Sequence, residues 1–135
     1  MTVLGRNIGG VGHAIELQRV YEAGAKGTGA RVLVDRVWPR GVRKDALGLD
    51  LWLRDLGPST ELRKWFGHRP ERWDEFQRRY RAELAEPERA ALLDQLADLS
   101  RRGAVTLLYG ARDEEHNQAV VVRDALRERL RGHAR

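Results

Sequence analysis

At 135 residues the chain is the size of one domain, long enough to bury a core without a disulfide or a structural metal. The absence of cysteine excludes a disulfide framework, a zinc ribbon and thiol nucleophile chemistry, and no apolar run approaches the roughly 20 residues needed to span a membrane. The net charge of +5 points toward an anionic partner, but Glu and Asp alternate with Arg through residues 71–102 and 112–131, which read first as solvated mixed-charge faces.

Met1 to Gly12 hold no apolar stretch of the signal-peptide kind, so residues 1–13 are expected to be a disordered lead-in. A cytoplasmic protein is the expectation. Ile15 to Tyr21 alternate apolar and polar residues, the pattern of a half-buried strand. The glycines in 22–30 make a loop. Arg31-Val32-Leu33-Val34-Asp35 is rich in branched residues, as in a central strand buried on both faces, and Pro39 and Gly41 end it.

Leu49, Leu51 and Leu53 recur at period two, which predicts a third strand over 49–56. Leu49, Leu53 and Leu56 also fit a helical stripe, and both readings stand. Ser59 suits an N-cap, with a short helix running to Phe66 and stopped by Gly67. Pro70 opens a helix that places Trp73, Phe76, Tyr80 and Leu84 on one face. Pro87 opens another, with Leu92, Leu93, Leu96 and Leu99 inward and Gly103 as its stop. Ala104 to Tyr109 is a strand. A last helix runs from about His116 to Leu130, with Val122, Leu126 and Leu130 in line, and 132–135 form a tail.

This alternation predicts a single α/β domain over 14–131: a small, mostly parallel sheet of three or four strands, with helices enough to cover both faces. The link between 15–21 and 31–35 is short for a parallel crossover, so an antiparallel hairpin and a mixed sheet are the alternative.

Two segments leave apolar strands and turn polar at once, Asp35 to Lys44 and Tyr109 to Asn117. Ligands of open α/β sheets bind outside the carboxyl ends of strands, so the two segments share a crevice if their strands are parallel neighbours. Asp35 at a strand end suits a general base or an orienting partner for arginine. Arg36 and Arg40 offer planar forks for phosphate or carboxylate, and Lys44 adds a point charge. Trp38 could stack on a ring. The plainer alternative is an internal Asp35–arginine pair with Trp38 as a core plug.

In the second segment, acidic residues before a helix are expected from the macrodipole alone. Asp113 and His116 could instead be a proton-transfer pair or two metal ligands, although Asp-x-x-His spacing is weak evidence and no metal site is predicted. Tyr109 would line a ring pocket and Asn117 would reach the ligand. Lys64 and His68 could reach the cleft from the helix after Ser59. No glycine-rich phosphate loop, zinc-protease motif or nucleophile elbow is present.

The run Arg31 to Gly41 resembles the signature of YeaO-like proteins, a branch of the family catalogued as domain of unknown function 488. The likeness continues through Leu51-Trp52-Leu53, Pro58 to His68, Trp73 to Phe76, Val105 to Tyr109 and Asp113 to Ala119. It implies a compact bacterial α/β protein and little about activity. Other branches carry a Cys-His pair after the last strand; here Asn117 and Gln118 occupy that region, so thiol chemistry does not carry over.

Three functions are compatible with these residues. The first is an enzyme or binder for a small anionic ligand, a nucleotide or phosphorylated metabolite, with the cofactor open. The second is a nucleic-acid-binding accessory protein using its basic surface. The third is a non-catalytic interaction module.

Overall fold

The computed structural model describes residues 14–22 and 29–133. The lead-in 1–13, most of the glycine loop and the last residues of the tail lie outside them. The elements are β1 (Ile15–Arg19), β2 (Ala30–Leu33), β3 (Leu51–Trp52), α1 (Thr60–Phe66), α2 (Trp73–Leu84), α3 (Pro87–Arg102), β4 (Val105–Tyr109) and α4 (Gln118–His133). Short 3-10 turns fill Lys44–Ala46, Arg54–Leu56 and Pro70–Arg72.

The sheet has four strands in the order β1-β4-β2-β3, and every pairing among the described residues is parallel. The hairpin alternative is therefore corrected: β1 and β2 never pair, because β4 lies between them. Ile15 stands opposite Val105 on one side of β4, and Ala30 stands opposite the same residue on the other. A strand paired on both edges and covered on both faces should be apolar throughout, and all of β4 is buried.

Side-chain alternation sorts the core into two clusters. Val32, Val105, Leu107 and Tyr109 point to the side where α1, α2, α3 and α4 all pack. Leu33 and Leu108 point the other way, onto Leu47, Trp38, Val42 and Leu49. The helices thus cover one face, not both as the sequence suggested. The loop after β2 covers the other. Arg31, 5% exposed, braces that loop: its Nε donates to the Leu47 carbonyl and its Nη1 to Gln18 Oε1. Its backbone N–H also donates to Asp50 Oδ2.

The predicted third strand shrinks to Leu51–Trp52, followed by a 3-10 turn. Among the described residues β3 pairs with one strand, β2, and the leucines around it split between faces: Leu49 packs with the loop, Leu51 and Leu53 with the helices. Ser59 caps α1 by accepting from Leu62 N–H, and Gly67 ends it in the left-handed conformation. Phe76, Tyr80 and Leu84 are buried along α2, as their spacing predicted. α4 begins at Gln118 rather than His116 and runs through Gly132, which the sequence placed in a tail.

Candidate functional site

β2 and β4 are parallel neighbours, so their carboxyl ends exit on the same edge of the sheet. The two polar segments that follow meet there. They enclose a cavity of about 440 Å³, in the size range of small-molecule sites. Arg36, Trp38 and Arg40 from the first segment line it, with His116 and Asn117 from the second. α1 and the turn after it add Arg63, Phe66 and His68.

Asp35 sits at the junction. Its Oδ2 accepts from the backbone N–H of Gly110 at 2.9 Å, and its Oδ1 accepts from the side-chain amide of Gln118. Its backbone carbonyl accepts from Trp52 Nε1. Burial pushes the carboxyl up to about 7, outweighing the two hydrogen bonds that favour its charge. The fit requires glycine at 110, since a Cβ there would stand 2.9 Å from Asp35 Oδ2 and 3.5 Å from the Pro39 Cβ. Gly57 is needed for a parallel reason: a Cβ would meet the Arg36 backbone nitrogen at 2.9 Å.

The expected Asp35–arginine pair is not what fixes the first loop. Asp35 is held by Gly110 and Gln118, while the Arg36, Arg40 and Arg63 guanidiniums have no hydrogen bond or ion pair among the described residues. Trp38 donates from Nε1 to the Val42 carbonyl and meets Trp52 edge-on at 5.2 Å, so it both plugs the loop core and walls the cavity.

Asp113 organises the second loop. Its Oδ1 accepts from the backbone N–H groups of Glu115 and His116, and its Oδ2 contacts His116 Nδ1 at 2.8 Å. The bond to the His116 ring is the largest cause holding the Asp113 carboxyl below its usual range. With Nδ1 engaged, Nε2 is the ring nitrogen left for a ligand. Trp73 meets the His116 ring edge-on at 5.2 Å. No third metal-type side chain joins this pair among the described residues. Asn117, 1% exposed, caps α4: its Oδ1 accepts from Ala119 N–H and its Nδ2 donates to the Asp113 carbonyl.

Three other residues singled out from sequence, Tyr109, Lys44 and Lys64, lie elsewhere. Tyr109 is buried against the helices and is not part of the cavity wall. Lys44 and Lys64 are exposed and outside it. His68 lines it in the left-handed conformation at φ 58°, the one non-glycine residue with positive φ among the described residues. Arg63, Gln118 and Tyr21 belong to the wall and were missed. Arg63 was foreseeable, lying one helical turn from Gly67 beside the predicted Lys64. Nothing local marks Tyr21, which arrives through the placement of β1 beside β4.

A family model described as "Inactive DUF488-N3 subclade" matches residues 14–134. The chain is 42% identical to the uncharacterized protein YeaO of Escherichia coli over 113 residues, which are 84% of this chain and 96% of that protein. It is also 42% identical to the uncharacterized proteins Mb3100c of Mycobacterium bovis and Rv3073c of Mycobacterium tuberculosis over 112 residues, 83% of this chain and 92% of each of theirs. No solved structure matches.

Proposed function

Since the chain belongs to the DUF488 family, in the subclade described as inactive, we propose that its cavity binds a small phosphorylated ligand without turning it over. The carrying observation is three arginines, Arg36, Arg40 and Arg63, that converge on one cavity with no protein partner among the described residues. Among the described residues, the other arginines without a partner, Arg69, Arg102, Arg112, Arg127 and Arg131, lie exposed outside the cavity, and several more are occupied. Arg19 donates to the Ala111 carbonyl, Arg31 to Leu47, Arg89 to Gly57, and Arg129 pairs with Asp94. Unspent planar guanidiniums facing a concave site suit a phosphate, which takes bidentate, charge-assisted hydrogen bonds.

The remaining wall fits the same reading. Among the described residues its one carboxylate is Asp35, which burial keeps partly protonated near neutral pH. His68 and His116 add two imidazoles that can donate to an anion. Turnover is disfavoured by the family description, by the lack of a thiol, and by Asp35, both of whose oxygens are already engaged by the protein.

Thermal-shift screening of the full chain against sugar phosphates, nucleotides and dicarboxylates tests the proposal. Saturable stabilisation by a phosphate, lost in Arg36→Ala and Arg40→Ala, is the expected result. No shift with any phosphate contradicts it. Binding of nucleic acid with a steep log-linear salt dependence, indifferent to Arg36→Ala, would instead place the affinity on the basic exterior.

A further inference from the structure

We infer that the ligand carries a flat heterocyclic ring, as a nucleotide does, and that the ring rests on Tyr21 at the cavity rim. The inference builds on the phosphate reading above and narrows it. Among the described residues two large hydrophobic side chains are exposed, Tyr21 at 47% and Val37 at 57%. Both line this one cavity. Isolated exposed apolar side chains are ordinary, but two that face the same concavity beside unpaired arginines form an apolar shelf next to an anion site.

Tyr21 is also immobilised, which an incidental surface tyrosine has no reason to be. Its hydroxyl donates to the Arg40 carbonyl at 2.8 Å. The Arg19 guanidinium lies over its ring, 4.9 Å from the centroid, and is itself anchored by donating from Nε to the Ala111 carbonyl at 2.9 Å. The ring is thus pinned at its tip and backed by a fixed cation while half of the residue stays open. A preordered aromatic surface gives up little entropy when a base stacks on it. The hydroxyl bond joins the shelf to the loop that carries Arg40, so ring and phosphate contacts are held in one register. A bare sugar phosphate would satisfy the arginines and leave Tyr21 and Val37 exposed to water.

Calorimetric titration of the full chain with AMP, CMP and ribose 5-phosphate tests this, because the three share a phosphate and differ in the ring. Both nucleotides should bind on the order of ten-fold more tightly than ribose 5-phosphate. Tyr21→Ala should abolish that ratio, lowering nucleotide affinity more than ribose 5-phosphate affinity, which falls modestly with loss of the hydroxyl bond to the Arg40 loop. Tyr21→Phe should keep most of the ratio. Equal affinity for all three overturns the ring inference and leaves the phosphate reading standing, as does a nucleotide preference that survives Tyr21→Ala. Failure of all three to bind contradicts the phosphate reading and this inference together.

Discussion

The side-chain amide of Gln118 donates to the carboxylate of Asp35, tying the first turn of α4 to the exit of β2. With the Gly110 N–H on the other oxygen, the carboxyl joins two segments that are far apart in sequence and meet only because β2 and β4 are parallel neighbours.

Asp35 makes stability depend on pH. Its carboxyl is pushed up to about 7 in the folded chain. The folded state therefore holds the proton more tightly than the unfolded one, and this contribution to stability is full below about pH 4. It is lost as pH rises through about 7, with a slope of at most about 1.4 kcal/mol per pH unit. Asp113 is shifted the opposite way by His116, so its contribution disappears only at more acid pH. Urea unfolding should show wild type losing stability relative to Asp35→Asn between pH 5 and pH 8. Parallel pH curves for the two proteins would show that burial does not set this carboxyl's charge.

Gly110→Ala should damage the site more than its size suggests. The added methyl would stand 2.9 Å from Asp35 Oδ2, so the carboxyl or the strand end must shift. Overpacking of this kind costs about 1–3 kcal/mol. Chemical denaturation should report a loss in that range, and ligand affinity should fall with it. Gly103→Ala, where a Cβ meets nothing within 4 Å, is the control that should preserve ligand affinity.

His68 holds a left-handed backbone at φ 58°. That conformation costs a non-glycine residue about 1–2 kcal/mol, while glycine loses more chain entropy on folding, about 0.5–1 kcal/mol. His68→Gly should therefore unfold at the same denaturant concentration as wild type or a higher one. Phosphate affinity should nevertheless drop several-fold, because an imidazole leaves the cavity wall. A clear loss of stability in His68→Gly would mean that the ring serves packing.

Two classes of arginine should separate cleanly. Arg89 donates from Nε to the Gly57 carbonyl and pairs with Glu86 at 3.0 Å, so Arg89→Ala should cost about 1–3 kcal/mol of stability. Arg36→Ala and Arg63→Ala remove no intramolecular partner among the described residues, and their melting temperatures should hardly move. Their ligand affinity should fall about ten- to a hundred-fold, the worth of one charge-assisted hydrogen bond. The opposite partition, measured by calorimetry on apo and liganded protein, contradicts the division.

Much of this arrangement was legible locally. The branched run ending at Asp35, the Ser59 cap, the stripe Phe76-Tyr80-Leu84 and the apolar run ending at Tyr109 each carry their own signal. Together they imply a parallel sheet with polar segments at its carboxyl edge. The insertion of β4 between β1 and β2 was not legible, since strand order is a tertiary outcome with no local pattern. The same ignorance hid Tyr21, whose place at the cavity rim depends on β1 lying beside β4. The split of Leu49 from Leu51 was also invisible, because Leu49 precedes the two-residue strand and packs with the loop, which period two alone does not reveal. Asn117 lies in the cavity wall where it was expected, and its second role, capping α4, is one that spacing alone does not reveal.

The most direct measurement of the central claim is a backbone-amide chemical-shift titration of the full chain with AMP. The account predicts saturable shifts clustered at Tyr21, Arg36 to Trp38, Arg40, Gly110, and His116 to Gln118, the two strand exits and the β1 rim around one cavity. Shifts confined to the outer surfaces of α2 and α3, with these amides unmoved, would contradict it.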